Sequence, residues 1–134
     1  MRKELDEALC RDFPRLYRLR DGSMERTAMC WGFTCGDGWY ELIRHLSEYL
    51  EKEIEKYVDE CPEDTNPPCA AQVKEKFGTL RFYMHTETDP MSQLINAAEH
   101  ASAFICEQCG RAGKLRGGNW LRTLCDECHE GGTK

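Results

Sequence analysis

The pattern Cys106-Glu-Gln-Cys109, fifteen residues, then Cys125-Asp-Glu-Cys128 constrains this chain more than any other feature in it. Two residues between cysteines let both thiolates of a tight turn reach one ion, and a second such turn completes a tetrahedron. Gly110 follows the first pair, where the turn needs a residue tolerant of positive φ. Gly113, Gly117 and Gly118 offer turns between the pairs, and Trp120-Leu-Arg-Thr-Leu124 reads as a strand leading into the second. The spacing predicts one Zn2+ held by Cys106, Cys109, Cys125 and Cys128. Four thiolates fill zinc's coordination shell, so the site is expected to be structural, with no position for an activated water. His129 is a spare ligand that four matched thiols do not require.

Nine cysteines in 134 residues would also suit a secreted disulfide scaffold. The odd count, the matched pairs and a Met1-Arg-Lys-Glu-Leu-Asp-Glu start without a signal peptide's apolar stretch favour a reducing cytoplasm instead. No run approaches the roughly 20 apolar residues of a membrane helix, so no membrane contact is expected. The length suits one domain with a small clamped module.

The elements read as an α+β chain. Leu5, Leu9 and Phe13 give an amphipathic helix over residues 3–13 that Pro14 curtails. Thr27 to Phe33 is short and apolar, as for a buried strand. Asp37 is placed to cap the next helix, whose stripe runs Trp39, Leu42, Ile43, Leu46, Leu50, Ile54 and Val58 until Cys61-Pro62. Residues 71–84 read as a hairpin about Phe77-Gly78. Asp89-Pro90 opens a helix with the stripe Met91, Leu94, Ile95, Ala98, Ala101 and Ile105. That helix feeds straight into Cys106. The expected organisation is therefore two main helices on a small antiparallel sheet in residues 1–104, with a four-cysteine zinc finger docked on it in 105–134. The Thr-Leu-Cys-x-x-Cys string resembles the second half of a treble clef, a zinc ribbon being the alternative. Only six residues follow Cys128, too few for the recognition helix of a GATA-type finger.

Charge separates the function classes. The formal net charge is −6, and residues 36–66 alone carry ten acids against three bases. Glu48, Glu51, Glu55 and Asp59 recur at three- and four-residue steps and predict one solvated face that imitates phosphate toward a partner. Generic nucleic-acid binding is disfavoured by this balance. The exception is the loop between the knuckles, where Arg111, Lys114, Arg116 and Arg122 either offset the charge of a metal tetrathiolate or contact phosphates. Cys35, ahead of a helix N-terminus, is the candidate nucleophile of an enzyme reading, although no histidine is spaced to serve it. The default is a shielded cysteine in a corner where Trp31 and Trp39 pack together. Cys30, Cys35, Cys61 and Cys69 have spacings that match no common knuckle, and the polar face of the hairpin (Arg81, Tyr83, His85) suits a solvated strand.

Three strings, Ala28-Met-Cys-Trp-Gly-Phe-Thr-Cys-Gly-Asp-Gly-Trp-Tyr40, Val73-Lys-Glu-Lys-Phe-Gly-Thr-Leu-Arg-Phe-Tyr83 and Cys106-Glu-Gln-Cys-Gly leading to Arg-Thr-Leu-Cys-Asp-Glu, carry a resemblance. Together they resemble a family of small zinc-finger-containing proteins encoded by bacteriophages and prophages, across nearly the whole chain. In that family the last ligand can be histidine, a place Cys128 fills here. The resemblance implies a phage origin and a bacterial host cytoplasm, and brings no catalytic residues with it. Small phage accessory proteins often bind host factors, including components of defence systems. The expected function is a non-enzymatic protein that binds a bacterial host protein, with nucleic-acid binding through the basic loop as the alternative and an enzyme using Cys35 or the hairpin's polar face third.

Overall fold

The computed structural model describes residues 1–22 and 27–131. Its elements are α1 (Lys3–Asp12), β1 (Phe33–Thr34), α2 (Tyr40–Glu60), β2 (Ala70–Lys76), β3 (Thr79–Met84), α3 (Asp89–Ser102), β4 (Lys114–Arg116), β5 (Arg122–Leu124) and α4 (Asp126–Gly131). The α+β class of the sequence is the class observed. One sheet has the order β1-β2-β3, with β1 parallel to β2 and β2 antiparallel to β3; β4 and β5 form a separate antiparallel pair. The main sheet is thus mixed, where an antiparallel one was expected.

One core joins these elements. Leu9 of α1, Trp39, Ile43 and Leu50 around α2, Val73 and Leu80 of the sheet and Met91 of α3 are all fully buried within it. Two side chains of α3 also finish the sheet's edge. Leu80 N donates to Ser102 Oγ and Phe82 N to Glu99 Oε2, each at 2.9 Å, so β3's outward-facing amides are satisfied by the helix.

The β2–β3 turn is a two-residue loop, Phe77-Gly78, between the paired Lys76 and Thr79. Both residues have positive φ, +55° and +87°, as a tight hairpin that follows the strand twist demands. Glycine accepts this freely; a phenylalanine does not.

Several local expectations need correction. Thr27 to Trp31 is not a strand: the Thr27 hydroxyl accepts from Met29 N at 3.0 Å and opens a 3-10 turn over Ala28–Trp31. Gly32 at φ +74° then redirects the chain into the very short β1. Trp31 is left 65% exposed while Trp39 is fully buried, so the two do not pack together. Asp37 does not cap α2. It starts a 3-10 turn (Asp37–Trp39), and its carboxylate accepts from Arg2 N at 2.8 Å. The cap position of α3 is Thr88, and Asp89 lies inside the first turn.

The largest correction concerns the acidic helix. Glu48, Glu55 and Asp59 are exposed, but Glu51 is only 9% exposed. Ser47 and Leu50, four residues and one residue before it, are buried, so Glu51 sits on the inward stripe. Its two oxygens accept from the backbone amides of Leu16 at 2.8 Å and Arg15 at 3.2 Å, where Pro14 has ended the preceding helix. Glu51 is a structural acceptor for an otherwise unpaired backbone. Glu51→Ala should therefore lower stability by about 2 kcal/mol, the cost of stranding buried amide donors. Glu55→Ala should change it by no more than about 0.5 kcal/mol. Urea denaturation of the two variants checks this; equal midpoints would return Glu51 to the solvent face.

Candidate metal centre

The chain leaves α3 at Ser102 and enters the first knuckle through a short bridge between Ile105 and Ala112. Cys106 N donates to Arg111 O at 2.7 Å and Gly110 N to Cys106 O at 2.9 Å, folding Cys106 to Cys109 into a tight turn. Gly110 closes it at φ +84°, as its place in the sequence implied. The hairpin β4–β5 then carries the chain back, and Leu124 delivers Cys125 to the start of α4. Cys128 lies in the first turn of that helix, its amide 3.4 Å from the Cys125 sulfur.

These four cysteines place their sulfurs within 4.8 Å of one another, and the Cys109 and Cys125 sulfurs are 3.6 Å apart. The grouping is geometrically suited to hold a metal ion. Its electrostatics agree with the chemistry of the donor set. Burial alone would raise the Cys106 thiol, but backbone amides of Cys125, Cys109 and Gln108 outweigh it and bring it down to about 6. The Cys128 thiol, hydrogen-bonded to the Cys125 side chain and desolvated, is pushed up to about 12. Sulfurs in mutual contact resist a second negative charge, and a bound cation removes that resistance.

The four basic residues of the inter-knuckle segment are not a free cationic patch. Arg111 pairs with Glu127 at 3.0 Å. Arg116 donates to Leu124 O at 3.1 Å and pairs with Asp126 at 2.7 Å, and Arg122 faces Glu107 at 3.8 Å. Lys114 stands exposed on β4, across from Leu124. Three of the four thus face carboxylates around the cluster.

Two groups of residues at this site escaped the sequence reading. Glu107, an anonymous position between two cysteines of the cluster, is 6% exposed, and burial raises its carboxyl. It accepts from Gly36 N at 2.8 Å through its side chain and from Gly38 N at 2.7 Å through its carbonyl. Trp39 Nε1 adds a bond to Ile105 O at 2.9 Å. The sequence marks Gly36-Asp-Gly38 as a corner ahead of α2; it is also the seat on which the knuckle rests. A Cβ on Gly38 would stand 2.2 Å from Cys106 O and 2.5 Å from Glu107 O. On the far side Thr123 Oγ1 donates to Gly78 O at 2.7 Å, joining the module to the hairpin turn.

Cys35 is 7% exposed, and burial above all pushes its thiol up to about 12. A protonated, shielded thiol is a core residue and a poor nucleophile. Among the described residues, Cys30, Cys35, Cys61 and Cys69 do not join a metal-binding group; the grouping that forms is the C-terminal one. No helix among the described residues is long and apolar enough to cross a membrane.

Comparison with protein-family models, curated proteins and solved structures finds no match to this chain, so its own residues carry the functional argument.

The seat makes a direct prediction. Gly38→Ala should cost about 2–3 kcal/mol, because backbone carbonyls cannot swing aside as a flexible side chain can. It should also increase proteolytic nicking after residue 104. A Gly38→Ala protein that melts with the wild type would show that the knuckle is not seated there.

Proposed function

We propose that this is a zinc-stabilised, non-enzymatic accessory protein of bacteriophage origin that works in the bacterial cytoplasm by docking onto a host protein, inhibition of a defence system being the expected consequence. Zinc is the metal the donor set supports best. Zn–S bonds of about 2.3 Å put tetrahedral sulfurs about 3.8 Å apart, close to the 3.6 Å between Cys109 and Cys125. The succession of knuckle, hairpin and short helix supports a treble clef over a ribbon. Four thiolates leave the ion no open position for chemistry.

Purified protein should hold one zinc per chain, and the Cys106→Ser, Cys125→Ser double variant none. Because ligation needs thiolates, acidification should release the metal and loosen the C-terminal module before the core. Metal analysis with hydrogen exchange reads both; zinc retained by the double variant would refute the assignment.

The observation that carries the docking reading is Phe77. Its ring is 65% exposed, yet its backbone is held at φ +55°. A bulky side chain in the left-handed region costs on the order of 1 kcal/mol, and this one recovers little of it within the chain, its exposed ring meeting Lys76 Nζ at 5.5 Å from the centroid. Strain kept at a surface position is motivated by what the side chain touches outside the chain. Leu115, 50% exposed, extends the same surface, its Cδ1 lying over Gly78, and Trp120, 74% exposed, directly precedes Leu121, whose backbone lies against the same glycine. Trp120 also lines a cleft of about 640 Å³ with Glu75, Arg122 and His129. Exposed aromatic anchors beside a cleft are the material of protein-binding hot spots.

The test is a trade-off. Phe77→Asn relieves the turn and should raise stability by about 0.5–1 kcal/mol, while weakening capture of the host partner at least tenfold, as should Trp120→Ala. The partner is taken from host cells, identified, and the complex rebuilt from purified components. Equal affinity of wild type, Phe77→Asn and Trp120→Ala would sink the docking reading.

A further inference from the structure

The sheet β1-β2-β3 has two unlike faces. Phe33, Val73 and Phe82 are register partners, point inward and are at most 3% exposed. The alternate positions share the opposite face: Thr34 beside Lys74, Lys74 opposite Arg81, Gln72 opposite Tyr83, and Lys76 opposite Thr79. All are half-buried or exposed, with Tyr83 at 42%, so the described chain leaves this face open. It carries three cations and no carboxylate in a chain of formal charge −6. The one acid of β2, Glu75, is paired with the inward Leu80 and accepts from Gly78 N at 2.7 Å. The excess carboxylates lie elsewhere, with Glu48, Glu55 and Asp59 on the exposed side of α2. Lys74 Nζ stands 5.9 Å from the Tyr83 ring centroid, which puts charge and aromatic surface together.

We propose that this open face binds single-stranded nucleic acid, with Lys74, Lys76 and Arg81 on the phosphates and Tyr83 as the surface on which a base stacks. Cations interleaved with an exposed aromatic are the features a single strand uses, because every base has a π-face and every linkage a charge. A base can stack on the Tyr83 ring only when it is unpaired and splayed from its own stack, so the strand must be single. Net acidity is no obstacle when the two signs occupy different surfaces: a phosphate chain at this face meets the cations within contact distance, and screening weakens the distant carboxylates. The site stands on the register of the main sheet. It does not depend on the docking surface at Phe77 and Trp120, nor on the arginines around the metal.

Fluorescence anisotropy of the full zinc-loaded chain with labelled oligo-dT and oligo-U of about 20 nucleotides tests this. Saturable binding is expected. Its affinity should fall with salt at a log–log slope of about −2, since each of about three phosphate contacts contributes roughly −0.7. Lys74→Glu with Arg81→Glu should lose at least tenfold at unchanged zinc content. Lys76→Glu, at the exposed end of β2, should lose a smaller factor and serves if the double variant fails to fold. Tyr83→Leu should lose roughly tenfold with the salt slope unchanged. Trp120→Ala should bind as the wild type does. Absence of binding at about 50 mM salt, wild-type affinity in a folded charge-reversed variant, or loss of binding in Trp120→Ala would each overturn the site. So would indifference to Tyr83→Leu, which would make the face one for an acidic protein.

Discussion

The contact between Glu107 and the Gly36–Gly38 segment is the joint through which the two parts of the molecule share their geometry. The knuckle offers the core a carbonyl and a carboxylate, and the core offers two amides that no side chain obstructs. Each such bond contributes about 1 kcal/mol, somewhat more to a charged acceptor. Their larger effect is positional. Cys106 and Cys109 flank Glu107, so whatever fixes those two thiolates also fixes the carboxylate that holds Gly36. Gly36 and Gly38 in turn lead through Trp39 into α2, whose inward stripe forms much of the core. A perturbation of the cysteine cluster is thereby felt at the start of the longest helix.

Charge is distributed on the same pattern. The chain does not carry its acidity as one undivided face on α2. Glu51 turns inward to satisfy the backbone after Pro14, and Glu107 does the same for the seat. Arginines near the cluster are held by Asp126, Glu127 and Glu107. Of the charge left over, Glu48, Glu55 and Asp59 lie on the outer side of α2 with Lys52 and Lys56 among them, while Lys74, Lys76 and Arg81 share the open side of the sheet.

The sequence made some of this legible and hid the rest for physical reasons. The grouping of the four C-terminal cysteines was readable because the spacing of two residues is set by the reach of a tight turn. The long helices and the hairpin were readable because their apolar periods extend over many residues. The segment from Thr27 to Gly38 was not, since one hydroxyl cap and one glycine with positive φ decide its path over a few residues. Glu51 and Glu107 were hidden for a different reason: each is buried by backbone donors distant in sequence, Leu16 and Gly36, and no local pattern announces such a partner. The mixed sheet was hidden too, because β1 is two residues long and its partner in β2 lies forty positions away.

The hydrogen bonds from Leu80 and Phe82 to Ser102 and Glu99 reach beyond the single molecule. A three-stranded sheet has two margins at which a stranger's backbone could zip on, and natural proteins guard them. Here one margin is a strand only two residues long and the other is occupied by a helix's own side chains. Backbone pairing between copies is thereby discouraged at the β3 margin of the main sheet. The helix that guards this margin is the same one that delivers the chain to its first cysteine.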